Sequence, residues 1–215
     1  PFLGAPRAKL HRDGAERGSR AGGEIRSARG RAEAVKARAF VAFLIAICFA
    51  TIAAAAPTFP PLNGRRVVDE ANVLATETET LLTNRLAALE ANSQRQVVVV
   101  TVPSLQGYEI EDYGYQLGRA WGIGRAAQDD GLLFIIAPND RSVRIEVGYG
   151  LEGFMTDALA SVILNSRVLP KFKAGDVQGG VIDGTDAIIA QLSLPPEEAA
   201  QRLAAAREDT PEIDV

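Results

Sequence analysis

Residues 57–215 contain neither cysteine nor histidine. The only cysteine in the chain is Cys48 and the only histidine is His11, and both precede this part. Residues 57–215 therefore have no thiol nucleophile, no Ser-His-Asp triad and no phosphohistidine. They also lack the nitrogen and sulfur ligands that zinc sites normally use. Any chemistry here must depend on carboxylates, hydroxyls, Lys or Arg side chains, or a hard cation.

Positive charge is also scarce after residue 56. Residues 1–56 hold ten Lys or Arg and four Asp or Glu, a net charge of +6. Residues 57–215 hold 13 Lys or Arg and 23 Asp or Glu, a net charge of −10. This division indicates two parts with different roles. The negative charge of the second part argues against a nucleic-acid partner.

The first part contains an uncharged apolar run at residues 39–56. Lys36 and Arg38 precede the run, and it ends in small alanines. A basic flank, an apolar core and an Ala-x-Ala ending are typical of a secretory signal peptide, which we place at residues 35–56. We therefore expect a periplasmic or otherwise extracytoplasmic protein. The alternative is an uncleaved membrane anchor, because the run is long enough to span a bilayer.

Residues 1–34 are rich in Arg, Gly and Ala and show no apolar period. This composition predicts a disordered or non-native leader. The chain begins with Pro1, and a GTG start codon at Val35 would produce a signal peptide of ordinary form. The expected leader therefore ends where the signal peptide begins.

Residues 57–195 have the pattern of one α/β domain. Apolar runs at 96–102 and 132–137 predict strands buried on both faces. Residues 142–147 alternate between apolar and charged, which predicts a half-exposed antiparallel strand. Helical patterns lie between these runs, so we predict a three-layer α/β/α sandwich with a mixed central sheet. The pattern of residues 196–215 predicts a charged helical tail.

Local signals refine this prediction. Val67 and Val68 indicate a short strand, and Thr76 with Glu79 matches a capping box at the start of a helix. Thr156 and Asp176 are predicted to cap two later helices.

The turn at residues 138–141 predicts a hairpin in which Ala137 lies opposite Ser142. If this register continues, Asp130 lies opposite Tyr149 and Asp129 lies opposite Gly150. Tyr149 stands between two glycines and is expected to be exposed at the rim of a site.

An acidic cluster follows from this register. Asp129, Asp130 and Glu152 should gather at one end of the sheet, and Asp69 is expected to approach the same end. Close carboxylates repel each other unless they are protonated or bridged by a cation, and oxygen ligands suit calcium or magnesium. The alternative interpretation is an ordinary turn in which Asp129 or Asp130 caps a backbone N–H.

Four segments together resemble the TPM-domain family, also called the TPM phosphatase family. They are RRVVDEANVL (65–74), EDYGYQLGRAWGIG (111–124), DDGLLFIIAPNDRSVRIEVGYGLEG (129–153) and LPKFKAGDVQGGV (169–181). The resemblance implies an exported or lumenal α/β/α domain. Plant relatives in the thylakoid lumen are associated with photosystem II repair and acid phosphatase activity, and some bacterial relatives bind calcium.

Two functions remain open at this point. The first is an accessory or maintenance factor of the cell envelope that binds a divalent cation and an envelope or membrane protein. We expect calcium in preference to magnesium, with Asp69, Asp129, Asp130 and Glu152 as the ligands. The alternative is a metal-assisted acid phosphatase, for which the sequence identifies no catalytic residues.

Overall fold

The computed structural model describes residues 56–208. The predicted leader at 1–34 and the signal peptide at 35–56 lie outside the described residues, apart from Ala56. The described part contains a sheet of four strands, which are β1 (Val67–Asp69), β2 (Gln96–Thr101), β3 (Gly131–Ala137) and β4 (Ser142–Val147).

The sheet is mixed, as predicted. Its strand order is β1-β2-β3-β4, with β1, β2 and β3 parallel and β4 antiparallel to β3. Ala137 lies opposite Ser142 and Leu132 lies opposite Val147, which confirms the predicted hairpin register. The strands β2 and β3 are almost wholly buried because both of their faces are covered.

Helices cover both faces of the sheet. They are α1 (Thr76–Ser93), α2 (Ile110–Trp121), α3 (Asp157–Ile163), α4 (Leu169–Lys173), α5 (Val177–Leu192) and α6 (Pro196–Glu208). A 3-10 turn spans Tyr149–Leu151, and a π-helical segment at Leu164–Val168 joins α3 to α4. No described helix offers a stretch of sufficient length and hydropathy to traverse a lipid bilayer.

Two apolar cores lie on opposite sides of the sheet. Val97 and Val99 face the larger core, which includes side chains of α1, α3 and α5. Val98 and Val100 face the smaller core, where Tyr113 of α2 is buried. Because successive strand residues point to opposite faces, the unbroken valine run of β2 supplies both cores. The predicted three-layer α/β/α arrangement is confirmed.

Two of the three predicted helix caps are present. Thr156 accepts a hydrogen bond from the backbone N–H of Leu159 at 3.3 Å, and Asp176 accepts one from Gly179 at 2.8 Å. The capping box at Thr76 is wrong, because the backbone enters α1 one residue earlier. Ala75 is the N-cap and has no side chain that can accept a hydrogen bond.

The described part of the predicted tail forms α6, which packs against the domain. Ala199, Leu203 and Ala206 are buried, and the last two belong to the larger core. The remaining positions of α6 whose side chains are described are exposed. One face of this charged helix therefore contributes to the core on the side of α3.

Candidate functional site

A cleft of 630 Å³ lies between α2 and the end of the β3–β4 hairpin. The side chains of Tyr115 and Arg119 project from α2 at one wall. The opposite wall contains Glu146 at the end of β4 and Tyr149 in the turn that follows it. The cleft therefore combines aromatic rings with charges of both signs.

Glycines allow α2 to approach the sheet beside this cleft. A Cβ atom at Gly114 would lie 2.7 Å from Cδ1 of Ile135, and one at Gly118 would lie 3.3 Å from Cδ1 of Leu133. Both distances are shorter than an ordinary carbon–carbon contact. These two residues weaken the intrinsic helix propensity, and the close approach gives a reason for their presence.

The turn after β4 lies directly on the backbone that precedes β3. The N–H of Gly148 donates to the carbonyl of Gly131 at 2.8 Å, and the N–H of Gly150 donates to the carbonyl of Asp129 at 3.0 Å. A Cβ at Gly148 would overlap the Asp129 carbonyl oxygen, and a Cβ at Gly150 would overlap that of Gln128. Glycine is therefore required on both sides of Tyr149.

Tyr149 itself points away from this contact. Its relative exposure is 76%, in agreement with the prediction that it lies at the rim of a site. Its N–H donates to Oδ2 of Asp129 at 3.1 Å. Asp129 therefore binds the turn through its side chain as well as through its backbone carbonyl.

Asp129 and Glu152 line the same cleft, as the sequence predicted. Asp129 adopts a left-handed backbone conformation with φ of 50°, which Asp tolerates better than most residues. The hydrogen bond to Tyr149 uses one of its carboxylate oxygens. Glu152 follows the 3-10 turn and its N–H donates to the carbonyl of Tyr149 at 3.2 Å.

Asp130 has a different role. It is only 5% exposed, and the backbone N–H of Arg125 donates to its Oδ1 at 2.7 Å. The guanidinium of Arg125 donates from Nε to Oδ2 at 2.6 Å and from its second terminal nitrogen to the same oxygen. Burial alone would raise the pKa of Asp130, but the hydrogen bonds and charge of Arg125 outweigh it and lower the pKa. Both carboxylate oxygens thus accept hydrogen bonds from Arg125.

Asp69 lies at the opposite end of the sheet, so the expectation that it joins the acidic cluster is wrong. It is opposite Thr101, the last residue of β2, whereas Asp129 and Asp130 precede the first residue of β3. Since β1, β2 and β3 run in the same direction, these ends are separated by about the length of β3, roughly 20 Å. A residue at the carboxyl end of β1 therefore cannot meet residues at the amino end of β3, which runs in the same direction.

The carboxylate of Asp69 is already engaged where it lies. It accepts hydrogen bonds from the N–H groups of Val73 at 3.2 Å and Leu74 at 2.9 Å, and from the hydroxyl of Thr101. Asp69 therefore orders the connection from β1 to α1.

The described residues bring fewer carboxylates together for a metal ion than the four that the sequence predicted. Among them, no group of three or more His, Cys, Asp or Glu side chains is arranged to hold a metal. Asp129 and Glu152 are the two predicted ligands that remain together at the cleft. A cation there would need water or backbone carbonyl oxygens to complete its coordination, which calcium accepts readily.

Sequence reasoning missed the contribution of α2 to the cleft. Tyr115 is 56% exposed, and its hydroxyl accepts a hydrogen bond from Arg119 at 2.9 Å. The available signal was their spacing of four residues, which places both side chains on one helical face beside Gly114 and Gly118.

Comparison with known proteins gives the following matches. The family model described as TPM domain matches residues 67–191, more than half of the chain. The solution NMR structure of the N-terminal domain of a protein from P. gingivalis is similar at 37% identity and a TM-score of 0.57, covering 60% of this chain and 82% of that one. The N-terminal domain of a Corynebacterium glutamicum protein is 20% identical with a TM-score of 0.49, covering 65% and 88% respectively. No curated protein sequence matches the chain.

Proposed function

Because this chain belongs to the TPM-domain family over residues 67–191, we propose that it is an exported accessory or maintenance factor of the cell envelope. In this proposal the cleft beside α2 binds an envelope or membrane protein. The observation that carries it is the presence of Tyr115 and Tyr149 at one cleft with relative exposures of 56% and 76%. Exposed tyrosines beside arginine are typical of protein-binding surfaces.

The composition of the cleft also favours binding over covalent catalysis. None of the residues described as lining it is Ser, Thr, Cys, Lys or His. Arg119 donates a hydrogen bond to the hydroxyl of Tyr115. The cleft therefore offers aromatic, cationic and anionic contacts without a paired nucleophile and base.

Site-specific photo-crosslinking in the native cell envelope tests the partner. A photoreactive residue in place of Tyr149 should give a discrete crosslinked product. The same residue in place of Leu81, which is 41% exposed on α1 and does not line the cleft, should not. Adding Tyr115→Ala should reduce the product from position 149. Equal products from positions 149 and 81 would contradict binding at the cleft.

A divalent cation is the second ligand that we propose, with calcium preferred to magnesium. Asp129 and Glu152 would provide two carboxylates at the open end of the cleft. Calcium accepts irregular coordination and several waters, whereas magnesium requires nearly octahedral geometry. Asp130 and Asp69 are left out of this ligand set because Arg125 and the β1–α1 connection use their oxygens.

Thermal unfolding with and without calcium tests this ligand. At about a hundredfold excess over its dissociation constant, a bound cation should stabilise the protein by roughly 3 kcal/mol. Asp129→Asn and Glu152→Gln should each reduce the shift, whereas Asp112→Asn, which does not line the cleft, should retain it. If millimolar calcium and magnesium leave the wild-type melting curve unmoved, the cation is excluded and the partner-binding proposal stands alone.

The second candidate function is a metal-assisted acid phosphatase. The observation that favours it is the presence of Arg119 in the same cleft as Asp129 and Glu152, where a phosphoryl group could meet a cationic side chain. A phosphomonoesterase assay in calcium, in magnesium and in EDTA decides this question. Hydrolysis that requires the cation and is lost in Arg119→Ala would support catalysis. Absence of hydrolysis under all three conditions would leave the binding function.

A further inference from the structure

A second groove, with a volume of 490 Å³, lies on the side of the larger core and shares no lining residue with the cleft beside α2. Residues of α3, the π-helical segment, α5 and α6 line it, and we call it the helical groove. Its volume falls within the range of about 300 to 1,000 Å³ that is usual for ligand pockets. The helical groove is therefore large enough to hold several side chains of a partner.

The helical groove has an apolar part. Leu159 and Ile163 line it as members of the larger core, and Val162 on the same helix is 37% exposed. Large hydrophobic side chains with this degree of exposure are few among residues 56–208, and two of the other three, Tyr115 and Tyr149, line the cleft. A partner that covers Val162 would remove apolar surface from water.

The acidic side chains of the helical groove are already paired with cations from outside it. Oδ2 of Asp183 lies 3.7 Å from Nζ of Lys171. Oδ1 of Asp186 lies 2.5 Å from a terminal nitrogen of Arg85. Neither Lys171 nor Arg85 lines the groove. These two carboxylates are therefore compensated without any contribution from the basic side chains of the groove.

The basic side chains of the helical groove are unpaired. Arg167 projects from the π-helical segment and Arg202 from α6, and both residues are exposed. Within the part of the chain that the structure describes, neither guanidinium has an ion-pair or hydrogen-bond partner. The uncompensated charge of the groove is thus positive, although residues 57–215 carry a net charge of −10. Guanidinium groups present parallel N–H donors that match the two oxygens of a carboxylate.

We propose that the helical groove binds an acidic peptide segment of a partner protein. Carboxylates of the segment pair with Arg167 and Arg202, and an apolar side chain next to them covers Val162. Clusters of arginine are a recurring means of recognising acidic motifs. A concave site between helices suits a peptide better than a bilayer, and the net charge of −10 would oppose approach to anionic lipids.

Selection of random peptides displayed on phage against the full chain tests this specificity. The enriched peptides should combine acidic residues with an apolar one, and fluorescence anisotropy of a synthesised copy measures the affinity. The double variant Arg167→Glu/Arg202→Glu should weaken binding by about tenfold or more, because charges of the same sign then oppose each other. Val162→Asp should weaken it as well. Arg141→Glu makes the same charge change at an exposed residue outside both sites and should retain binding.

Circular dichroism verifies that each variant is folded. The proposal is overturned if no peptide is enriched, if the enriched peptides lack acidic residues, or if folded Arg167→Glu/Arg202→Glu binds as well as wild type. Equal losses in Arg141→Glu would also overturn it, since they would show a general charge effect. Tyr149→Ala separates this site from the cleft, because peptides held in the helical groove should bind that variant normally. The result therefore does not depend on the function proposed for the cleft.

Two other occupants would give different results. Residues 209–215 contain three acidic residues and no basic residue. If a folded chain that ends at Glu208 binds the peptides about tenfold more tightly than the full chain, the occupant is this segment and a separate partner is excluded. If phosphatidylglycerol vesicles bind wild type but not Arg167→Glu/Arg202→Glu, and no peptide is enriched, the groove recognises anionic lipid and the proposal is overturned.

Discussion

At the scale of single residues, Gly148 and Gly150 determine how the hairpin end is assembled. Each lies against a backbone carbonyl of the segment before β3, and backbone cannot move aside as a side chain can. The position of Tyr149 in the cleft therefore depends on its two neighbours having no side chain.

Gly150→Ala tests this dependence. The added methyl group would overlap the carbonyl oxygen of Gln128, so we expect a loss of about 2 to 3 kcal/mol in the free energy of unfolding. Gly153→Ala is the matched control, because a Cβ there meets nothing within 4 Å, and it should be nearly neutral. Urea unfolding of both variants measures the difference. Equal stabilities would show that the turn can shift at little cost.

Asp130 and Arg125 provide a second residue-scale prediction. Asp130→Asn removes a buried charge that accepts hydrogen bonds from Arg125, and we expect it to destabilise the fold by about 2 kcal/mol. The exposed guanidinium, at 48%, keeps the loss below that of a wholly buried pair. Chemical unfolding at neutral pH measures it, with Asp112→Asn as an exposed carboxylate control. A neutral Asp130→Asn would show that Arg125 does not anchor its loop through this carboxylate.

The same pair predicts a pH dependence. The pKa of Asp130 is lower in the folded protein than in the unfolded chain, so its stabilising contribution is complete above the ordinary Asp pKa of about 4. That contribution is lost as the pH falls below about 4 toward the folded-state pKa. Stability curves of wild type and Asp130→Asn should therefore converge in acid. A constant gap between them down to pH 2 would contradict this assignment.

At the scale of elements, α6 is a charged helix with one buried face that contributes to the larger core. Leu203→Ala should reduce the free energy of unfolding by about 2 to 3 kcal/mol, because it removes a buried side chain from the larger core. Ala204→Ser on the exposed face should change stability by less than about 0.5 kcal/mol. Thermal or urea unfolding distinguishes the two, and equal effects would mean that α6 is not docked in solution.

The strands could be predicted from the sequence, and the reason is physical. The runs at 96–102 and 132–137 are apolar on both faces, and the turn between Ala137 and Ser142 is short enough to fix the register. The same register places Asp129 beside Gly150, whose N–H donates to the Asp129 carbonyl, and in the cleft that contains Glu152.

The rest of the site could not be predicted because it depends on tertiary contacts. Which end of the sheet Asp69 occupies follows from strand direction, and strand direction is absent from a local pattern. The pairing of Asp130 with Arg125 requires the loop between them to close, and its residues show no periodic signal. Tyr115 and Arg119 enter the cleft through the packing of α2.

At the scale of the whole molecule, export remains a prediction that rests on the signal peptide. The uncharged apolar run at residues 39–56 and the basic residues before it fit an exported protein. Cell fractionation should find the native protein outside the cytoplasm, with its N-terminus near residue 57. Recovery from the cytoplasm with residues 39–56 intact would contradict export, whereas recovery in the membrane with those residues intact would identify an anchor.

The turn that carries Tyr149 has a thermodynamic consequence. Glycines on both sides of an exposed aromatic residue ordinarily make a loop flexible. Here, however, the three consecutive backbone N–H groups of residues 148–150 are all hydrogen-bonded. Fixing one backbone residue costs about 1 to 2 kcal/mol of conformational entropy, and this cost is already met on folding. A partner that binds the ring of Tyr149 therefore needs to restrict only the rotation of its side chain. The backbone that carries the ring is thus preorganised, so a contact at this rim loses less of its interaction energy to ordering.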